Sequence, residues 1–139
     1  MFRYVDGDNG CGYAAAKEAM DIAIEMAKKN GIAVIGISNI SHSGSIGYYT
    51  EMAAKNDLAA ISFCQSDPMA VPPGGTEPYY GTNPISFAAP TADDRTVVFD
   101  MATTVQAWGK ILDKRSRGES IPDLSLIHIS EPTRLALSA

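Results

Sequence analysis

A histidine on a loop is the first candidate for chemistry in this chain. His42 follows the apolar run at residues 32–37 and stands in a Ser-His-Ser-Gly segment at residues 41–44. Imidazole can both take and give a proton near neutral pH. In α/β proteins, ligands bind at the carboxyl ends of strands, which is where this loop is predicted to lie. His42 is therefore an acid/base candidate, and the alternative is a loop histidine hydrogen-bonded to Ser41 or Ser43.

Two further segments place hydroxyl residues and glycines at predicted strand ends. Residues 66–68 (Ser-Asp-Pro) close one strand, and the glycine-containing segments at 74–75 and 81–84 let the backbone approach a bound molecule closely. Residues 100–104 (Asp-Met-Ala-Thr-Thr) close another strand where a helix begins. Hydroxyls and free N–H groups there could receive a phosphate or a ribose. Ordinary turn and cap chemistry is the alternative for both segments.

One match to the dinucleotide-binding fingerprint is set aside. Residues 10–15 (Gly-Cys-Gly-Tyr-Ala-Ala) fit the Gly-x-Gly-x-x-Ala form and open a predicted helix. The fingerprint needs a strand that runs directly into its first glycine, but residues 6–10 are predicted to form a turn. It also needs an acidic residue near the end of the next strand, where this chain has Ser38 and Asn39. No close pair of ligands supports a zinc site, so no metal is predicted.

Composition narrows the class of protein further. The 139 residues carry a formal net charge of −5, which argues against binding to nucleic acid. No apolar run reaches the roughly 18 residues that a membrane span needs, and no membrane partner is predicted. The two cysteines, Cys11 and Cys64, are far apart in the sequence and favour a reduced, cytoplasmic setting.

The elements that must position these residues alternate between strand and helix. Hydrophobic periodicity predicts strands at residues 2–5, 32–37, 58–63, 85–89 and 96–101, and helices at residues 12–29, 46–55 and 104–117. This order predicts an α/β protein with a mixed, largely parallel sheet flanked by helices. The strands near residues 33–38, 59–63 and 96–100 are expected in one sheet, with helix 12–29 covering a face. Residues 64–84 form a long loop, and such loops are more often functional.

Several of these motifs together resemble the malate/L-lactate dehydrogenase family. They are the segments at residues 5–10 (Val-Asp-Gly-Asp-Asn-Gly), 41–44, 81–84 and 100–104. The resemblance covers residues 2–123 and implies a non-Rossmann nicotinamide-binding fold and NAD-dependent oxidation of a small 2-hydroxy acid. Residues 64–69, 79–84 and 103–110 most resemble members that oxidise ureidoglycolate to oxalurate in allantoin breakdown. Malate, lactate, sulfolactate and the use of NADP stay open, as does a non-catalytic α/β binding module.

The resemblance also implies roles for individual residues. His42 matches the histidine that accepts a proton in the family. The positions that bind NAD are matched by Ser66, Asp100, Met101 and Ala102. Thr82 or Asn83 is expected to hydrogen-bond the substrate, an interpretation from loop position alone. A homodimer or larger homo-oligomer is expected for the parent protein.

The two ends of the chain depart from the family pattern. A Ser-His pair and an arginine that precede this region in the family are absent, and so is the family's C-terminal half. Residues 1–123 are therefore expected to be a fragment of the NAD-binding catalytic domain. Residues 124–139 resemble the translated read-through of a sequencing adapter, which would leave His128 without a role. The alternative for that tail is a genuine short strand.

Overall fold

A computed structural model describes residues 1–72, 75–93, 95–104 and 108–120. The strands are β1 (Phe2–Gly10), β2 (Val34–Ile40), β3 (Ala60–Phe63), β4 (Ile85–Pro90) and β5 (Thr96–Met101). The helices are α1 (Gly12–Asn30), α2 (Gly47–Ala54) and α3 (Trp108–Ser116). The predicted α/β class is confirmed, and each predicted strand and helix is found, with α3 described from Trp108 onward. Two compact units are present among the described residues: Met1–Ser62 with Ser86–Asp100, and Phe63–Ile85 with those that follow Asp100.

The first sheet pairs β1 with β2 in parallel. Its register runs from Phe2 opposite Val34 to Asp6 opposite Ser38, and then shifts so that Gly10 lies opposite Ile40. The predicted turn at residues 6–10 is therefore wrong, because β1 continues through it. Asp8 and Asn9 have φ angles of 50° and 56°, and this left-handed backbone absorbs the irregularity as a bulge. The Asp, Asn and Gly residues that predicted a turn form this bulge instead.

Helix α1 packs on β1 and β2, as predicted for the helix at residues 12–29. Ala16 and Ile24 are buried on the expected apolar stripe. The helix ends where Gly31 adopts a φ of 80° and its N–H donates to the carbonyl of Ala27 at 2.7 Å. This left-handed cap explains why α1 ends at Asn30, close to the predicted end at residue 29.

The second sheet has the strand order β3-β4-β5. The expectation that strands near residues 33–38, 59–63 and 96–100 share one sheet is wrong, because β2 pairs with β1 instead. Short apolar strands carry little information about their partners, so long-range pairing decides which strands meet. The N–H of Thr91 donates to the carbonyl of Arg95, and Ser86 donates to the carbonyl of Phe99, so β4 and β5 run antiparallel.

Buried hydroxyl groups hold α2 to the β4–β5 hairpin. The side chains of Thr50 and Ser86 are both 0% exposed, and their oxygens are 2.7 Å apart. Ser86 also donates to the carbonyl of Phe99 at 2.7 Å, and Thr50 to the carbonyl of Gly47 at 3.1 Å, so each hydroxyl proton has two possible acceptors. The bonds are satisfied inside the core, which keeps these polar groups from destabilising it.

The second unit contains the long loop and α3. Within the described residues of this loop, the one β-type contact is an isolated antiparallel bridge between Ala70 and Tyr80. Ala70, Val71 and Ile111 are fully buried and belong to the core of this unit. The predicted start of α3 at Thr104 is wrong, because Thr104 lies in a bend before the helix, and α3 is described from Trp108 onward. The tail at 124–139 lies outside the described residues, so its foreign origin stays a prediction.

Candidate active site

The loop that carries His42 is held at its first residue by Ser41. The Ser41 hydroxyl donates to the carbonyl of Gly10 at 3.0 Å and accepts the N–H of Gly12 at 3.1 Å. The backbone N–H of Ser41 also donates to the carbonyl of Gly10 at 3.1 Å. These bonds fix the end of β2 against the junction between β1 and α1.

Gly12 of the fingerprint-like motif lies directly against the His42 loop. A Cβ at this position would lie 2.1 Å from the carbonyl oxygen of Ser41 and 2.6 Å from that of His42. The space that glycine opens is therefore filled by the His42 loop. One argument against the fingerprint was wrong, since β1 does run directly into Gly10. The fingerprint is still incomplete, because no acidic residue lies at the end of β2.

The imidazole of His42 is exposed and makes an edge contact with one aromatic ring. The rings of His42 and Tyr13 have centroids 5.9 Å apart and planes at 86°. Within the described part of the chain, no hydrogen bond joins this imidazole to Ser41, Ser43 or any other residue. The hydrogen-bonded loop histidine that the sequence left as an alternative is thus not found. The imidazole nitrogens remain available to a bound molecule.

Tyr49 supports the middle of the same loop from α2. Its hydroxyl donates to the carbonyl of Ser43 at 2.6 Å. Burial raises the pKa of Tyr49, with smaller contributions from neighbouring groups, so the phenol keeps its proton at neutral pH. It therefore remains a hydrogen-bond donor to the loop.

An open cleft of about 520 Å³ lies beside the His42 loop. Its lining residues are Tyr13, Ala14, Lys17, Ser43, Ser45, Tyr48 and Tyr49. Tyr13 thus borders the cleft and also contacts the imidazole of His42. The ammonium of Lys17 is paired with Asp21 at 2.7 Å, both side chains being about half exposed. The volume suits a small organic molecule.

Asp100, predicted to bind the cofactor, has one carboxylate oxygen engaged within the protein. Its Oδ2 accepts the hydroxyl of Ser45 at 2.5 Å and the backbone N–H of Gly47 at 2.8 Å. Gly47 is the first residue of α2, so the carboxylate lies at the positive end of that helix.

The second unit brings Ser66 together with Thr82 and Asn83. The amide oxygen of Asn83 accepts the N–H of Ser66 at 3.1 Å, and the Ser66 hydroxyl accepts the N–H of Thr82 at 2.9 Å. The hydroxyls of Ser66 and Thr82 are 3.2 Å apart. A Cβ on Gly81 would lie 2.3 Å from the carbonyl oxygen of Ser66, so only glycine permits this close approach. One predicted cofactor residue and both predicted substrate residues therefore form a cluster.

Thr103 joins the segment after β5 to the same cluster. Its N–H and its hydroxyl donate to the carbonyl of Thr82 at 2.9 and 3.1 Å. These two groups were predicted to be free for a phosphate or ribose, and for Thr103 that expectation is wrong because Thr82 occupies them. Met101 is exposed and Ala102 half-buried, just before this attachment.

Sequence reasoning missed several residues that hold the site. Tyr13, Ser45 and Tyr49 act on the His42 loop although none of them resembles a motif by itself. Glycines were the usable signal, since Gly12, Gly47 and Gly81 each mark a close backbone approach. In the part of the chain that the structure describes, no group of three His, Cys, Asp or Glu residues could hold a metal ion. No helix among these residues is long and apolar enough to cross a membrane.

Comparison with known proteins places these clusters in a family. The family model described as malate/L-lactate dehydrogenase matches residues 1–129. The chain belongs to the malate/L-lactate dehydrogenase family. It is 60% identical to ureidoglycolate dehydrogenase (NAD(+)) of Escherichia coli K12 over 116 residues, 84% of this chain and 33% of that protein. It is 43% identical to malate dehydrogenase of Pyrococcus abyssi over 122 residues, 88% of this chain and 33% of that protein.

Solved structures of the family agree with the fold. Malate dehydrogenase of Entamoeba histolytica superposes with a TM-score of 0.81 at 29% identity, covering 95% of this chain and 38% of that one. The family assignment and the family's fold, both expected from the motifs, are confirmed. The chain spans about a third of the length of the curated relatives it matches.

Proposed function

We propose that this chain carries part of the site of an NAD-dependent 2-hydroxy-acid dehydrogenase, with ureidoglycolate as substrate and oxalurate as product in allantoin breakdown. The observation that carries the proposal is the 60% identity to a ureidoglycolate dehydrogenase across 84% of the chain. The exposed imidazole of His42 beside a cleft is compatible with a proton acceptor on a small alcohol.

The residues assigned to the cofactor, Ser66 and residues 100–102, offer hydrogen-bond donors that are compatible with a nicotinamide dinucleotide. The Ser66 hydroxyl already accepts an N–H from Thr82, so its own proton can go to Thr82 or to a ligand oxygen. Strand β5 ends at Met101, and Ala102 follows it. The next residue, Thr103, donates a hydrogen bond to Thr82, which belongs to the cluster around the Ser66 hydroxyl. We assign NAD to Ser66 and to residues 100–102, and NADP stays an alternative. When bound, NAD supplies the acceptor for a hydride.

His42 takes the proton that the substrate must lose. Oxidation breaks the C–H bond, whose electron pair leaves as hydride, and the O–H bond, whose proton moves to an imidazole nitrogen of His42. The bonds of Ser41 and Tyr49 hold the loop backbone, which limits the rearrangement needed to bring the imidazole to the hydroxyl. Thr82 and Asn83 are proposed to hydrogen-bond the substrate from the glycine-containing loop.

Replacing His42 tests this role in the full-length protein. We expect His42→Gln to lower kcat by about 10²- to 10⁴-fold, the usual contribution of a positioned general base. The Kd for NAD should not change, because the assigned cofactor residues are untouched. Glu77→Gln, a similar exchange at an exposed loop residue, is the matched control and should keep parental kinetics. A folded His42→Gln protein that turns over ureidoglycolate at the parental rate would refute the assignment.

A second candidate is a dehydrogenase for malate or a related 2-hydroxy acid. The 43% identity to a malate dehydrogenase favours it specifically. Comparison of kcat/KM for ureidoglycolate, malate, lactate and sulfolactate decides between them, and ureidoglycolate is expected to be highest. If no hydroxy acid is oxidised and NAD still binds, the non-catalytic binding module is the better description.

We also propose a cytoplasmic setting and a homodimer or larger homo-oligomer for the full-length protein. The free thiols of Cys11 and Cys64 support a reducing compartment. Light scattering coupled to size-exclusion chromatography measures the oligomeric state, and a monomer would contradict the second part.

A further inference from the structure

The end of the His42 loop is held by a carboxylate from another element. Ser45 donates its hydroxyl, and Gly47 its backbone N–H, to the same oxygen, Oδ2 of Asp100. Both donors lie in the five residues after His42, while Asp100 belongs to β5. The contact is therefore a long-range one that fixes where the loop ends.

The backbone at Gly47 is shaped to allow this contact. A Cβ at Gly47 would lie 2.8 Å from Oδ2 and 2.9 Å from the Cβ of Asp100. Any larger residue would push the carboxylate away from the start of α2. The close approach requires glycine in the same way as Gly12 does at the other end of the loop.

Strand geometry makes Asp100 a rigid support. Side chains alternate between the two faces of a strand, and Ser86 on β4 and Asp100 on β5 both contact α2. The buried bond between Ser86 and Thr50 holds α2 one turn further along. Two polar attachments to one hairpin thus limit both translation and rotation of the start of α2.

We propose that the carboxylate of Asp100 is a positioning residue that sets the location of the His42 imidazole through Ser45 and Gly47. The inference rests on the proposed role of His42 as the proton acceptor. It assigns the Asp100 side chain to the loop and leaves the backbone of residues 100–102 to the cofactor. A charged acceptor is suited to this task, because it forms stronger hydrogen bonds than a neutral acceptor does. A negative charge is also stabilised by the helix dipole at the N-terminus of α2.

The test uses Asp100→Ala, Asp100→Asn, Ser45→Ala and the Asp100→Ala/Ser45→Ala double variant in the full-length protein. We expect Asp100→Ala to lower kcat by about 10- to 100-fold, since a displacement of about 1 Å in a reacting group has an effect of this size. Ser45→Ala should show a smaller loss, because it removes one of the two bonds to Asp100. The double variant should be no worse than Asp100→Ala, because Asp100→Ala has already removed the bond to Ser45. Asp100→Asn retains an acceptor oxygen and should recover most of the rate. The Kd for NAD should change much less than kcat, because the backbone of residues 100–102, which is left to the cofactor, is retained in every variant.

Asp93→Ala is the matched control, because this aspartate precedes β5 and bonds its own turn through Thr91 and Arg95. It should keep parental kcat. Parental kcat in Asp100→Ala and Ser45→Ala would overturn the inference, as would a raised Kd for NAD with kcat unchanged at saturating NAD. If Asp100→Ala does not fold, Ser45→Ala decides, and an unchanged kcat in Ser45→Ala overturns the inference.

His42→Gln measured in parallel separates the two ideas. Loss of turnover in His42→Gln with parental kcat in the Asp100 and Ser45 variants defeats the positioning role alone. Parental turnover in His42→Gln defeats the proposed function and removes the basis of the inference with it.

Discussion

Individual side chains at the His42 loop divide their tasks by chemistry. Among the described residues, His42 makes one aromatic edge contact and no side-chain hydrogen bond, whereas Ser41 has its hydroxyl engaged with both Gly10 and Gly12. A proton acceptor must be free to meet a substrate, and its neighbours must therefore hold the backbone. Ser41, just before the histidine, bonds to Gly10 at the end of β1, and Ser45, three residues after it, bonds to Asp100.

The two thiols should differ in reactivity at the residue scale. Burial raises the pKa of Cys64, which lowers its thiolate fraction at any given pH, while Cys11 is exposed. Because the thiolate is the nucleophile, we expect iodoacetamide to modify Cys11 first at pH 8. The Cys64 rate should keep rising at pH values above the ordinary pKa of a thiol. Mass spectrometry follows both sites, and guanidinium-unfolded protein, in which the difference should vanish, is the control. Equal rates in the folded chain would contradict this expectation.

Elements in the first unit are joined by backbone approaches that only glycine allows. The chain turns from β1 into α1 at Gly12, directly against the carbonyls of Ser41 and His42. The chain starts α2 at Gly47, directly against Asp100. The loop between β2 and α2 is thus held by one sheet at its start and by the other at its end. This arrangement makes the position of His42 depend on the packing of both sheets.

A methyl group at Gly12 should separate these elements. We expect Gly12→Ala to lower the free energy of unfolding by about 1–3 kcal/mol, the range for an overpacked site. Gly109→Ala is the matched control, since nothing lies within 4 Å of a Cβ there and alanine favours a helix by about 1 kcal/mol. Urea denaturation measures both. A Gly12→Ala protein as stable as the parent would show that the loop can move away from α1.

At the scale of the whole molecule, the β3-β4-β5 sheet shows an apolar face to solvent. On β4, Ser86 and Ala88 are buried while Ile85 and Phe87 are exposed. The exposed apolar residues of the three strands include Ile61, Phe63, Ile85, Phe87, Val97 and Phe99. The side chains of Ser86 and Asp100 point to α2, so the alternation places Phe87 and Phe99 on the opposite face. Contiguous apolar surface of this kind is uncommon on a soluble monomer.

This face should bind a hydrophobic dye when the 139-residue chain is studied alone. We expect strong fluorescence of anilinonaphthalene sulfonate and a clear decrease in a Phe87→Thr/Phe99→Thr variant, because threonine preserves strand propensity while removing apolar area. Tyr79→Thr is the control, since Tyr79 is 72% exposed and lies outside the three strands. Absence of dye binding by a folded parent chain would show that the face is covered.

Local order along the chain was determined by the sequence itself. Hydrophobic periodicity located the strands and helices, and Gly31 marked the end of α1 because a left-handed cap is a local requirement. The family was identified from motifs that keep their order, such as the loop of His42 and the segment at residues 81–84, and the family match confirms it. The roles assigned to His42, Ser66 and Asp100 stay predictions.

Long-range pairing was decided only by the tertiary structure. Runs such as β2 and β3 are short and apolar, and nothing in them specifies that they join different sheets. The contact of Asp100 with Ser45 and Gly47 joins residues that are more than fifty positions apart in the sequence. No local motif and no periodicity extends over that distance. The same holds for Thr103, whose predicted free donors are taken by Thr82. A side chain's chemical type is written in the sequence, but its partner depends on which distant backbone groups the fold brings within hydrogen-bonding distance.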